Sequence, residues 1–394
     1  MGNKQRITLV AFLAYFVLSA MLAPIGIISG PMAAQYGRPV TEITAQFSWL
    51  TGGNFLGAVA ALFVFDWIAL RRMFLFVYGA IAVGLLSLAL IDALPYARFV
   101  LGLVGFGSGI GLAGAALTIS RTYEAERRAS FLVITDGCFS VAGFVCASLA
   151  SYLIALKLGW SSAYQCLGLV ALVVVALSVA STFPATTRKE SAGANAATPW
   201  SAPIWMCAGA LFLYALGQYS MVFWLPNYAS TTLGANAVQA GALVGQFWLG
   251  MFLAQIFVAW WVLRIGVRRL APLAATMTAL GSVPLWLIAD PGLLPYCALA
   301  WGVLNLSLLK AVLSFATTMV KVPDARLVSG LLFGATLGTA ISPAVSSLIV
   351  EMTHVRVVLI FATGCHVAMM LLVLLARRIS APTNSTATEG AHAT

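Results

Sequence analysis

Residues 162–184 read SAYQCLGLVALVVVALSVASTFP, 185–202 read ATTRKESAGANAATPWSA, and 203–226 read PIWMCAGALFLYALGQYSMVFWLP. Two apolar runs of some twenty residues flank the longest polar stretch between any two such runs. A run of about 20 apolar residues suffices to cross a bilayer as a helix. Working outward from this junction, the pattern repeats: six runs precede it and six include or follow its far side. The runs cover roughly 7–28, 44–66, 73–92, 95–120, 130–156 and 162–184, then 203–226, 238–263, 270–289, 294–319, 327–350 and 356–377. Twelve crossings in two sets of six predict an all-α membrane protein with two six-helix bundles, residues 1–184 and 203–379. A linker at 185–202 joins them, and a Ser/Thr/Ala-rich tail at 380–394 reads as disordered.

Composition excludes the main alternatives. Hydrophobic residues make up 61% of the chain and charged residues 8%. A soluble domain carries roughly a quarter charged residues, so this chain has too few to clothe a water-facing surface. The net charge of +10 is spread over short loops and does not form a basic domain, so nucleic acid is not an expected partner. The six cysteines lie in apolar runs without CxxC or Cys/His spacing, which argues against a metal site or disulfide framework. No GxxxxGK[ST] segment is present. Together these features point away from an enzyme and away from ATP drive. They imply no cofactor.

Lysines and arginines set the orientation. With the N-terminus on the cytoplasmic side, sixteen of the 21 basic residues face the cytoplasm. Only Arg38, Arg98, Lys157 and Arg356 face outward, and Lys310 lies within a span. Both termini are therefore expected inside, in an inner (plasma) membrane. The first run has Lys4 and Arg6 before it but is too long for a cleaved signal core, so it reads as a retained helix. Pro24, Pro284 and Pro343 suggest kinks, which membrane helices tolerate when neighbours satisfy the freed backbone.

The two halves resemble each other. WIALRR (67–72) after span 2 is matched by RIGVRR (264–269) after span 8. Gly105 and Gly302 lie 197 residues apart, as do Gly137 and Gly334. A weak repeat at half the chain length is the mark of a duplicated transporter.

Several motifs carry a family resemblance. DWIALRR (66–72) has an acid followed after a short spacer by basic residues, without the usual glycines. LPYARFVLG (94–102) has Leu, Arg and Gly at four-residue spacing, with Leu101 where a glutamine is usual. YALGQYSMVFWLPNY (214–228) ends in Trp-Leu-Pro-x-Tyr, with Gln218 where an acid is common. On these residues, about 5–378 of the chain resembles the major facilitator superfamily. It is similar to the fucose–galactose–glucose:proton symporter branch, and FLVITDGCFSVAG (131–143) looks most like its TsgA-type members. The resemblance implies the two-bundle fold, solute transport by alternating access, and protons as the coupling ion. It also suggests a sugar or polyol as substrate.

Polar groups inside a bilayer are costly and each asks for a reason. Asp136 lies roughly 9 Å into span 5 and Lys310 roughly 15 Å into span 10, counted at 1.5 Å per residue. They belong to opposite halves and are expected to face each other across a central cavity as the proton-coupling pair. The plain alternative is a static ion pair, or a lysine reaching for the surface. Arg98, at the start of span 4, is a further coupling candidate through the resemblance, or else an interfacial anchor. The amides Asn54, Gln218, Gln246 and Asn305 both donate and accept, as a sugar hydroxyl does. With Tyr219 and Trp248 they are candidate substrate contacts, although buried amides also glue helices together. Asp66, Arg71, Arg72, Glu124 and Arg128 read as charge pairs of a cytoplasmic gate, or as solvated loops. The expected partners are a small solute, protons and the bilayer, with the chain a monomer. Efflux of an amphipathic compound, carriage of a carboxylate, or a non-transporting receptor are the competing readings.

Overall fold

The computed structural model describes residues 2–184, 200–320 and 325–380. The expected linker and tail fall largely outside these. Among the described residues the chain is helical, with turns between helices and no strand. The first half comprises α1 (Asn3–Leu22), α2 (Ile25–Tyr36), α3 (Val40–Gln46), α4 (Ser48–Trp67), α5 (Leu70–Ser87), α6 (Leu94–Thr122), α7 (Ala125–Ala155) and α8 (Ser162–Val179). The second comprises α9 (Ala202–Leu233), α10 (Ala237–Ile265), α11 (Val267–Ser282), α12 (Pro284–Leu287), α13 (Leu294–Leu304), α14 (Leu308–Thr317), α15 (Ala325–Met352) and α16 (Val355–Ile379). Twelve helical stretches among the described residues are long and apolar enough to cross a membrane.

The expected spans need four corrections: span 2 starts earlier and divides at Phe47 into α3 and α4, and the other three follow. The first span does not end at 28. It breaks at Ala23–Pro24, where proline has no N–H to give, and resumes as α2 until Gly37 closes it at φ 60°. The ninth span is two pieces, because Pro284 starts a new short helix. The tenth is also two pieces, with its break at 305–307. Pro343, by contrast, lies inside an uninterrupted α15.

The repeat is visible in the packing as well as the letters. A Cβ added at Gly105 of α6 would run into the Leu50 carbonyl of α4, and one added at Gly302 of α13 into the Phe247 carbonyl of α10. Leu50 and Phe247 are themselves 197 residues apart. Gly53 against the Gly102 carbonyl and Gly250 against the Leu299 carbonyl keep the same offset. Small residues let two helix backbones touch, and both halves use them at equivalent places. The pair Gly137 and Gly334 does not extend this pattern. Gly334 approaches the Ala208 carbonyl of α9, whereas a Cβ on Gly137 would meet Gln255 and Phe252 of α10 at ordinary contact distance, 3.9 Å.

The halves meet towards the end opposite the chain termini. Gly26 of α2 lies against the Phe223 carbonyl of α9, Gly241 of α10 against Ser151 of α7, and α3 packs on α15. At mid-depth Thr51 Oγ1 donates to the Ala340 carbonyl at 2.9 Å, and Gly143 makes room for the Trp248 ring. A cavity lies between these contacts and the terminal end.

Gly105→Ala and Gly302→Ala should each lower the thermal midpoint of the detergent-solubilised protein. Overpacking costs ~1–3 kcal/mol, more than alanine's helix propensity returns at ~1 kcal/mol. Gly364→Ala, which meets nothing within 4 Å, should hold or raise the midpoint. Equal behaviour of all three would remove the close-approach account.

Candidate functional site

The two intramembrane charges meet. Lys310 Nζ lies 2.9 Å from Asp136 Oδ2, joining α14 of the second half to α7 of the first. The side chains are 49% and 23% exposed, and both line a cavity of about 250 Å³ between the halves. The pair is thus within the bundle yet open to the cavity.

Lys310 owes its position to the break in span 10. Leu306 and Ser307 adopt left-handed backbone, at φ 48° and 54°, although neither is glycine. Such conformations cost ~1–3 kcal/mol each and persist only where surroundings impose them. Asn305, fully buried, is what imposes them. Its Oδ1 accepts from the Tyr214 hydroxyl at 3.1 Å and from the Leu308 amide at 3.4 Å. Its Nδ2 donates to Gln218 Oε1 at 3.3 Å. The Leu308 amide also reaches the Asn305 carbonyl at 2.9 Å. One side chain therefore stitches the restart of the helix to α9. Two residues past Leu308, in the first turn of α14, stands Lys310.

The other candidates divide. Asn54, Gln218, Tyr219 and Trp248 line the cavity with the pair. Gln218 is 3% exposed and committed to Asn305, so its amide is a scaffold as much as a contact. Trp248 is 1% exposed, with its ring edge-on to Phe139 at 5.6 Å. Its Nε1 has no partner, and neither has Asn54 Nδ2. Asn305 stands behind the wall as described. Gln246 is half-buried and does not border the cavity.

Arg98 is not brought to the pair. It sits at the end opposite the termini, 3.3 Å from Glu42, which also has Arg38 at 3.7 Å. These side chains are about one-third exposed or more, and such pairs contribute ~0–1 kcal/mol. This is the position of an interfacial residue, paired with Glu42 and not with Asp136.

The gate residues also separate. Arg71 Nη2 donates to the Val179 carbonyl at 2.6 Å and its Nε to Ser178 at 3.3 Å, capping α8 within its own half. Arg72 is exposed, and Glu124 precedes α7 without a side-chain capping bond. The side chains of Asp66 and Arg128 lie outside the described ones. The expected pairs of Asp66 with Arg71 or Arg72, and of Glu124 with Arg128, therefore lie outside the described side chains.

Sequence reasoning missed Gln255. It lines the cavity and donates from Nε2 to Ser140 Oγ at 3.0 Å, tying α10 to α7 one turn from Asp136. Its Oε1 is unpartnered. The criterion that selected Gln246, an amide inside an apolar run, applies equally to Gln255. Beyond it lies a larger crevice of about 480 Å³ between α1, α7 and α10, lined by apolar groups such as Phe12, Phe252 and Ile256. The smaller cavity is the better site for a polar solute, since it alone holds the charges.

The "Major Facilitator Superfamily" model matches residues 7–332 and 210–394. The chain belongs to this superfamily. Protein TsgA homologs of Serratia proteamaculans (strain 568) and Yersinia pseudotuberculosis serotype O:1b (strain IP 31758) are 27% and 26% identical to it, over 95% of each chain. Among solved structures, an aspartate-to-alanine mutant of the nucleoside transporter NupG superposes with a TM-score of 0.73 at 13% identity, covering 95% of this chain and all of the other. A bacterial homolog of the human lysosomal transporter Spinster, inward-facing and occupied, gives 0.69 at 14% identity over 96% of both. These superpositions carry the twelve-span fold of this facilitator and no more.

Asn305→Ala should lower the thermal midpoint, because it strands the buried Tyr214 hydroxyl and Gln218 amide at ~1–3 kcal/mol each. Tyr214→Phe on that background should then cost less than it does in the wild type. Additive losses would show that Asn305 and Tyr214 do not act as a unit.

Proposed function

We propose that this facilitator takes up a small polar solute, a sugar or related polyol, together with a proton. The observation that carries the reading is the 2.9 Å contact between Lys310 and Asp136 across the two halves. A carboxylate that ionises when paired and protonates when the pair breaks can count protons. With Asp136 ionised, the pair ties α7 to α14. A proton arriving at the carboxylate removes its charge and frees the Lys310 ammonium, and the tie weakens. Solute seated among Asn54, Trp248 and Gln255 then bridges the halves in its place. Rocking of the halves about the cavity exposes solute and proton to the other side, where both leave and the pair re-forms.

The orientation that suits this reading has both termini in the cytoplasm, and the sixteen-to-four division of basic residues supports it. The membrane would be the inner one, and each chain would work as a monomer. Efflux of an amphipathic compound is the second reading. It draws on the apolar crevice, which shares Gln255 with the charged cavity.

In reconstituted vesicles, Asp136→Asn should abolish accumulation driven by a pH gradient while leaving solute exchange intact. Undiminished accumulation by this variant would remove Asp136 from coupling. Transport of long-chain amphiphiles in preference to polyols would favour the second reading.

A further inference from the structure

The cavity is unbalanced in its hydrogen-bonding groups. The break at 305–307 turns the start of α14, a ten-residue helix, towards the cavity, with Ser307, Leu309 and Lys310 on the lining. A helix start carries a partial positive charge and favours anions. Broken membrane helices use such starts to seat anionic groups. Lys310 in that first turn adds a full charge. Two further donors on the same wall, Asn54 Nδ2 and Trp248 Nε1, belong to residues 8% and 1% exposed and have no partner. A buried donor without an acceptor is expensive. Against this set stand one carboxylate, Asp136, and one neutral acceptor without a partner, Gln255 Oε1.

We infer that the solute itself bears a carboxylate, which takes the place of Asp136 on Lys310. This rests on the proton-coupled reading above and replaces its neutral polyol with a small hydroxylated monocarboxylate. The charges decide it. Lys310 and ionised Asp136 sum to zero. A proton on Asp136 leaves one uncompensated positive charge in the bundle, which a neutral polyol does not relieve. A monoanion restores zero, a dianion overshoots, and a cation doubles the excess. Uncompensated charge in the membrane is the costly state, so proton and monoanion are favoured as a pair. The proton moves from water to a carboxylate oxygen of Asp136, and no other bond is made or broken. The transported sum is electroneutral. The hydroxyls of the solute fall to the amides and to Ser140.

One carbon skeleton in three charge states tests this: gluconate, glucitol and N-methylglucamine. Each is added to vesicles containing the intact protein, while internal pH and membrane potential are followed. Gluconate should acidify the lumen at least tenfold faster than glucitol, at a rate unchanged by an imposed potassium-diffusion potential. N-methylglucamine should do nothing. Acidification by glucitol with gluconate silent would overturn the carboxylate inference and leave proton-coupled polyol uptake standing. Gluconate uptake without acidification would keep the carboxylate seat and sink the proton reading. Silence with all three, in protein whose unfolding midpoint shows it folded, would overturn the inference.

Binding read from tryptophan fluorescence gives a second line, independent of turnover. Asp136→Asn should bind gluconate about tenfold more tightly, since the competing carboxylate is gone, and Lys310→Gln should lose it. Weaker gluconate binding by Asp136→Asn would refute the exchange of one carboxylate for another.

Discussion

A backbone inside hydrocarbon must satisfy its own N–H and C=O groups, because no water is there to do so. Most of this molecule answers with unbroken helices. Where a helix does break, the freed groups need replacements from neighbours. Span 10 breaks in the middle of the second half, at residues that are not glycine, and Asn305 supplies the replacements. Its ties to Tyr214 and Gln218 make α9 a splint for the fracture. The placement of Lys310, and so of the ion pair and the cavity around it, follows from that one buried amide.

The duplicated plan makes the fracture more informative. The helix pairs α4–α6 and α10–α13 pack through glycines at equivalent places, so the two halves share a frame. Shifted by the same 197 residues, Lys310 falls on Ala113, and the break falls on Ser108, Gly109 and Ile110 within the continuous α6. The lysine and the broken helix are therefore departures from the repeat. The repeat accounts for the shared frame of the two halves, and the departures account for what is particular to the second.

Much of the architecture was legible in the letters. Twelve apolar runs and one polar junction give the two bundles, because the bilayer sets both length and polarity. The pairing of Asp136 with Lys310 was legible for the same reason, since two charges of opposite sign in opposite halves have few other places to go. The break in span 10 was not. No glycine or proline marks residues 305–307, and the partners that stabilise the break come from α9, ninety residues away. The partner of Arg98 was not legible for a related cause. Its family position suggested coupling, but Glu42, on a short helix that the hydropathy pattern does not announce, holds it at the far end. Helix faces also escaped the reading. Gln246 and Gln255 lie nine residues apart in one apolar run, and only the packing of α10 decides which meets the cavity.

The ion pair has a history that the folded molecule conceals. Asp136 is made 174 residues before Lys310. At ~5–20 residues per second of synthesis, the gap is roughly ten to thirty-five seconds. During that interval the first bundle sits in the membrane with its acid unanswered. An acid set among apolar residues thus precedes its cation by more than a hundred residues of chain, and the second half, once made, brings the charge that answers the first.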